Sequence, residues 1–188
     1  MSEGGVFSSS ADEEIKKLVS LSKGGDEEAF GKVYDLISEP VYKFIYMRTR
    51  HRENAEDLLS LTFLKVWKNL PRYEERAGTK FTTWVFQICH NVIRDYYRSS
   101  REYILFEEYM ENQQTEQTQE EYVDKSILLT RMRAALQHLS ENHQNVLTLR
   151  FISGLSVAET ARIMEKREGT VRVLQVRALK ALKKVFKP

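Results

Sequence analysis

The sequence predicts an all-α protein, and three observations carry that expectation. Prolines stand only at positions 40, 71 and 188, so long stretches lack the residue that removes a backbone donor and breaks helices. Apolar residues recur at i, i+3, i+4 and i+7 in several segments, above all between residues 80 and 101. No segment shows the sustained alternation of a half-buried strand.

The elements can be justified in order. Ser10-Ala-Asp-Glu13 reads as a capping box opening a short helix to about Leu21. Asp26-Glu27-Glu28 places acids at the positive end of a second helix, to about Ser38. Pro40, suited to a first turn, opens a third helix to about Arg50. Asn54-Ala-Glu-Asp57 caps a fourth that ends near Leu70, before Pro71. The fifth, from about Lys80 to Arg101, carries Phe81, Trp84, Val85, Ile88, Cys89, Val92, Ile93 and Tyr96 on one broad apolar stripe. Four more follow, over about 126–138, 141–152 with Ser140 as cap, 156–164 and 168–186.

The chain of 188 residues is long enough to bury a real core in one large domain or two small ones. Its net charge of +2 hides a segregation. Residues 102–125 hold eight acids against Lys125 alone, whereas residues 126–188 hold twelve basic groups against four acids. A basic end joined through an acidic Gln/Glu/Thr segment to a mixed-charge body implies two helical domains and a flexible linker. The expected divisions are an extension with a short helix (1–25), a first domain (26–101), the linker (102–125) and a second domain (126–188).

Composition also excludes several classes. One cysteine cannot build a disulfide framework or a multi-cysteine metal site, and the four histidines are scattered. No cofactor and no metal are expected. Cys89, on the apolar stripe, is expected to be a packed core thiol, and His90 and His143 to be surface residues. No apolar run approaches a membrane span, and the first residues lack a basic stretch leading into an apolar one, so a cytoplasmic protein without membrane insertion is expected. There is no Gly-rich phosphate loop; Glu53, Glu56 and Asp57 read as helix-start acids and Glu74 and Glu75 as loop acids. An enzyme is therefore not expected.

The second domain carries a helix-turn-helix pattern. Ser156-Val-Ala-Glu159 is a capping box for a short helix, Glu165-Lys-Arg167 a brief turn, and a longer basic helix follows. On that helix Val171, Leu174, Ala178, Ala181, Leu182, Val185 and Phe186 share one side. Arg172, Val173, Val176, Arg177, Lys180, Lys183 and Lys184 occupy the other, five cations without an acid among them. Mutual repulsion on that face would be reversed by phosphates, and the valines could meet thymine methyls. Gln175 falls in the apolar sector and fits neither side.

Two stretches of the first domain also stand out. In helix 54–70, Ala55, Leu58, Leu59, Thr62, Phe63 and Val66 form one core face. The far side still carries Leu61, Leu64 and Trp67 beside Asp57 and Lys68, which reads equally as burial in a bundle or as a docking surface. In segment 71–80 and the following helix, Arg72, Tyr73, Arg76, Lys80, Phe81, Phe86 and Tyr97 interleave cations with aromatics. Such interleaving suits an unpaired nucleic-acid strand, although a solvated loop beside core aromatics would look the same.

At this point the residues resemble a known family. Asn54-Ala-Glu-Asp-Leu-Leu…Thr62-Phe-Leu-Lys-Val-Trp67, with Phe81-Thr-Thr-Trp84…Ile88…Asn91…Asp95…Arg98, is similar to region 2 of bacterial RNA polymerase sigma factors. Leu139…Gln144-Asn-Val-Leu…Arg150-Phe…Gly154-Leu-Ser-Val-Ala-Glu-Thr-Ala161, with Gly169-Thr-Val-Arg172…Arg177-Ala-Leu-Lys-Ala-Leu182, is similar to region 4. Both in this order across an acidic linker resemble the extracytoplasmic-function (ECF) group, which keeps only these two regions. The family commonly has Gln-Glu where Ser60-Leu61 stand, Ser-Arg where Val173-Leu174 stand, and a Gly-Ile/Val-Pro turn before Gly169 that this chain lacks.

The resemblance implies a promoter-recognition subunit without a catalytic site. It places Asp57, Leu61, Leu64, Trp67 and Lys68 against core RNA polymerase, at the clamp coiled coil, with a further contact to the flap. It places Arg72, Tyr73, Arg76, Lys80, Phe81, Asn91, Arg94 and Arg98 on the melted −10 element with its flipped base. It places Thr170, Arg172, Val173, Val176, Arg177 and Lys180 on the −35 element, and it implies an anti-sigma partner. A free-standing helix-turn-helix regulator acting on duplex DNA alone is the competing reading; it has no need of the aromatic-basic surface over 71–98.

Overall fold

The computed structural model describes residues 9–49, 51–75, 79–107 and 125–185. Among the described residues the regular structure is helical: α1 (Ser9–Lys23), α2 (Glu27–Tyr46), α3 (Arg52–Asn69), α4 (Phe81–Glu107), α5 (Lys125–Gln137), α6 (Glu141–Leu147), α7 (Val157–Ile163) and α8 (Glu168–Val185). A 3-10 turn, Leu70–Arg72, follows α3, and a π-helical turn, Thr148–Ile152, extends α6. The N-terminal half packs α2 between α1, α3 and α4; in the C-terminal half α6 and α7 pack on α8. The acidic segment expected over 102–125 lies largely outside the described residues, and α4 runs six residues past the predicted boundary at 101.

Helix α2 departs from expectation at its proline. Two helices meeting at Pro40 are predicted, but one helix runs through it, opened by Asp26, whose Oδ1 accepts from Ala29 N at 2.9 Å. An interior proline costs about 3 kcal/mol or more. Val33, Ile37, Val41, Phe44 and Ile45 are nevertheless buried in register on both sides of it. Breaking the helix would misalign that stripe, and each fully buried aliphatic or aromatic side chain contributes about 1.5–3 kcal/mol. Burial therefore overrides the local break signal.

Helix α3 also begins differently. It starts at Arg52, with His51 as an N-cap that makes no side-chain cap bond. Asn54 lies inside the helix, and its Nδ2 donates to Tyr96 Oη at 2.8 Å, tying α3 to α4. The predicted local cap is instead a tertiary bond. On α4, Phe81, Val85, Phe86, Cys89, Val92 and Ile93 are buried, with Phe86 edge-on to Phe44 at 5.7 Å between centroids. Burial pushes the Cys89 thiol up to about 12, so it is a core group as expected.

The two halves meet along a polar seam. Thr83 Oγ1 donates to Glu159 Oε1 at 3.3 Å, Gln87 Nε2 to Arg162 O at 3.4 Å, and Gln137 Nε2 to Thr49 O at 3.4 Å. The Arg133 guanidinium sits 4.6 Å from the centroid of the Tyr46 ring. At the centre lies Arg48, 2% exposed, whose Nη1 donates to Asn145 Oδ1 while its Nε has no partner among the described residues. No carboxylate pairs with Arg48 among those residues. Burial pulls this guanidinium below its ordinary value, yet an arginine does not give up its proton in a protein.

His90 is not the surface residue expected. Its Nε2 is buried without a partner among the described residues, and its pKa is pushed down to about 4, first by burial and then by the charges of Arg48 and Arg94. The unfolded chain takes up a proton near pH 6.5, which the folded chain refuses until about 4. His90 therefore leaves stability intact above about pH 6.5 and lowers it as pH falls through the window to 4, by up to about 1.4 kcal/mol per unit. Denaturant melts of wild type and His90→Gln between pH 7 and 4.5 should show a shallower loss in the variant; parallel curves would contradict it. The seam makes a second prediction. Arg48→Met should be neutral or stabilising, because it removes a buried charge without a counter-ion. Asn145→Leu should cost about 2–3 kcal/mol in the same melts, because it strands that charge.

Candidate nucleic-acid interface

The C-terminal surface begins with the cap of α7. Ser156 Oγ accepts from Glu159 N at 3.2 Å and Glu159 Oε2 accepts from Ser156 N at 2.8 Å, the predicted reciprocal box. The box fixes the start of α7, and Thr160, Ala161 and Ile163 pack inward. The turn that follows lacks glycine and proline, and a left-handed residue makes it. Glu165 has φ +53°, Lys166 N donates to Ala161 O at 2.8 Å, and Glu165 N donates to Arg162 O at 3.2 Å. This is a Schellman closure with glutamate where glycine is usual.

Helix α8 then divides as predicted up to Leu182, whereas Val185 is exposed and Phe186 lies outside the described residues. Val171 and Ala178 are buried, Leu174, Ala181 and Leu182 pack against the core, and Thr170, Arg172, Val173, Val176, Arg177 and Lys180 are exposed on the other side. Val173 is 50% and Val176 53% exposed, so they are not core residues. The outward face is not free of acid, however: Arg172 Nη2 is 3.1 Å from Glu168 Oε2, one turn earlier. Gln175 finds its role in the structure, its Oε1 accepting from Arg150 Nε at 3.2 Å. Arg150 also donates through Nη1 to Leu155 O, joining α8 to the approach of α7. No spacing rule reveals that bridge, because its two ends lie 25 positions apart.

The N-terminal surface is built on the segment between α3 and α4. Tyr73 and Phe81, expected to face a strand, are buried, with ring centroids 5.1 Å apart and Trp84 at 4.8 Å from Tyr73. They form the foundation of the segment and not its outer face, because the α4 stripe draws both rings into the core. Burial pushes the Tyr73 hydroxyl up from its ordinary value. Arg72, Lys80, Asn91, Arg94 and Arg98 are exposed, and Arg76 lies outside the described residues. Lys80 Nζ is 2.6 Å from Asp12 Oδ2, and Arg98 Nη2 is 3.4 Å from Asp95 Oδ1. Trp84, Gln87, Ile88 and Asn91 line a cleft of about 260 Å³ closed on its far side by Ile163 and Glu165, so α7 lies beside this face.

Helix α3 shows a third surface. Ala55, Leu58, Thr62, Phe63 and Val66 are buried, whereas Leu61 is 40% and Leu64 48% exposed. Asp57 and Lys68 flank them in solvent. Trp67 is half-buried, 4.7 Å from the Phe30 ring, so it serves the bundle as well. Among the described residues no helix is long and apolar enough to cross a membrane, and no group of three His, Cys, Asp or Glu could hold a metal.

A helix-turn-helix with an exposed basic-apolar face, packed on a four-helix unit with its own basic segment, defines a two-part helical DNA-binding protein. The Sigma-70 region 2 model matches residues 33–103 and the Sigma-70 region 4 model matches residues 135–184. The ECF RNA polymerase sigma factor BldN of Streptomyces coelicolor is 35% identical over 174 residues, covering 92% of this chain and 66% of that relative, just under two thirds of its length. The RNA polymerase sigma factor YlaC of Bacillus subtilis is 30% identical over 156 residues, 81% of this chain and 88% of its own. The sigma factor RpoE of Bartonella quintana, solved in complex with the anti-sigma factor NepR, shares the fold at TM-score 0.70 and 22% identity, over 83% of this chain and 95% of that one. The chain belongs to the ECF group of RNA polymerase sigma factors.

The turn of the helix-turn-helix makes its own prediction. A left-handed backbone costs a side-chain-bearing residue about 1–2 kcal/mol, part of which glycine returns through its freer unfolded chain. Glu165→Gly should raise stability by about 0.5–1 kcal/mol, a gain of about 1–4 °C in thermal melting. A lower melting temperature would mean that Glu165 makes compensating contacts.

Proposed function

We propose that this sigma factor directs core RNA polymerase to promoters through three surfaces with separate tasks. The exposed face of α8 reads the −35 element as duplex, with Arg172, Val173, Val176 and Arg177 at base edges and Thr170 and Lys180 at the backbone. Arg72, Lys80, Asn91, Arg94 and Arg98, with Arg76, hold the melted −10 strand, and stacking offsets the few kcal/mol of unpairing a flipped base. Leu61 and Leu64, with Asp57, Trp67 and Lys68, dock on the clamp coiled coil, and the C-terminal half meets the flap. The observation that carries this reading is the division of α8, buried on one side and exposing two valines among cations on the other.

Promoter elements about 25 base pairs apart are separated by roughly 85 Å of duplex. The packed seam cannot span that distance, so the halves separate when both elements are engaged. The protein needs no cofactor and has no catalytic site of its own; the polymerase supplies the chemistry, in the cytoplasm. A relative's complex with an anti-sigma factor supports an anti-sigma partner here as well.

Run-off transcription with purified core polymerase on a genomic library, with and without this protein, tests the reading. New discrete start sites are expected; DNA binding without start-site selection would instead define a free-standing regulator. Arg172→Ala and Arg177→Ala should each reduce transcription from those starts by roughly 5- to 100-fold, leaving co-purification with core intact. Leu64→Asp should abolish co-purification; survival of the complex would misplace the docking face.

A further inference from the structure

Helix α1 lies outside both matched regions, yet one of its faces is committed to the −10 segment. Residues 12, 16, 19 and 23 share a side at i, i+4, i+7 and i+11. Asp12 pairs with Lys80 at 2.6 Å, Lys16 with Glu75 at 3.1 Å, and Lys23 Nζ donates to Tyr73 O at 2.6 Å. The order is antiparallel: as α1 ascends from 12 to 23, its partners descend from 80 to 73. Eleven residues of helix rise about 16 Å, so the three contacts reach both flanks of the segment.

Packing does not account for all of these contacts. Ile15 and Val19 are buried and anchor α1 in the core, but between α1 and the flanks lies a groove of about 520 Å³. Charged side chains bridge it. Lys16 and Glu75 are both more than half exposed, and an exposed pair adds little to stability. What three ordered bridges across a groove determine is spacing. The Asp12 partner also raises the pKa of Lys80, which holds that cation charged at its fixed position.

We propose that α1 positions the −10 segment: Asp12, Lys16 and Lys23 fix the flanks Tyr73–Glu75 and Lys80 at the separation that a promoter strand requires. This rests on the reading of that segment as a strand-binding surface. Lys16 and Glu75 are positioning residues that need not touch DNA. The role explains why both signs of charge stand on the α1 face, where a DNA-contacting helix would carry cations alone.

The test measures promoter opening by permanganate reactivity of the bubble, using the full-length protein with core polymerase. Lys16→Glu should reduce opening about threefold to tenfold, since an exposed pair is worth up to roughly a factor of five and reversal adds repulsion. Affinity for core and thermal stability should not change. Glu75→Lys alone should reduce opening similarly, although it adds positive charge near the DNA. The exchanged pair, Lys16→Glu with Glu75→Lys, should recover to within about twofold of wild type.

A gain of opening in Glu75→Lys would show that bulk charge and not spacing matters, and would overturn the proposal. So would wild-type opening in Lys16→Glu, or an exchanged pair no better than the single variants. If wild type itself opens no promoter with core polymerase, the strand-binding reading fails, and the positioning role fails with it.

Discussion

The apolar stripe of α4 is the constraint on which the other surfaces depend. It buries Phe81, Val85, Phe86, Cys89, Val92 and Ile93 against α2 and α3, and so fixes the rotation of the helix about its axis. Once that rotation is set, Asn91, Arg94 and Arg98 have to point outward, and Trp84, Gln87 and Ile88 have to face α7. The same stripe draws Tyr73 and Phe81 together beneath the segment between α3 and α4. Core packing, the basic surface and the contact with the C-terminal half are thus three consequences of one helical period.

The seam between the halves is built differently from either core. Its bonds from Thr83, Gln87 and Gln137 are long, at 3.3–3.4 Å, and its centre is a guanidinium held by one amide and without an anion. Removing a charge from water costs several kcal/mol that dipoles of one amide offset only in part. Exposure of Arg48 on separation would recover that hydration. The buried apolar cluster, in contrast, runs continuously from Ile15 to Ala178 and favours closure. A junction that sets apolar attraction against a polar penalty suits the proposed separation of the halves on a promoter.

Sequence periodicity made the helices and the two sides of α8 legible, because both follow from spacing within a dozen residues. It failed where distant contacts decide. Pro40 looked like a boundary, but the buried stripe through Val33, Ile37 and Val41 holds α2 continuous. Asn54 looked like a cap, but its partner is Tyr96, 42 positions away. Arg48 and Asn145 are 97 positions apart, and neither is unusual in its local setting. His90 looked polar and exposed on the helical wheel, because the wheel has no knowledge of what packs beside Arg48 and Arg94. The candidate surfaces were legible as faces, whereas the inward turn of Tyr73 and the grip of α1 required the tertiary fold.

A common arrangement runs through the cations assigned to DNA. Arg172 stands beside Glu168 and Arg98 beside Asp95. In each pair the cation is exposed, so the bond contributes about 1 kcal/mol or less and a phosphate can replace the acid at small cost. The acids relieve repulsion within each basic face while the protein is free, and they leave the net charge near neutrality at +2. Each phosphate neutralised releases counter-ions condensed on the DNA, but a cation that must first leave a carboxylate gives back part of that gain, so these contacts favour orientation over raw affinity. That fits a subunit whose hold on DNA is shared with a larger machine: it must choose a site correctly, and it need not hold that site alone.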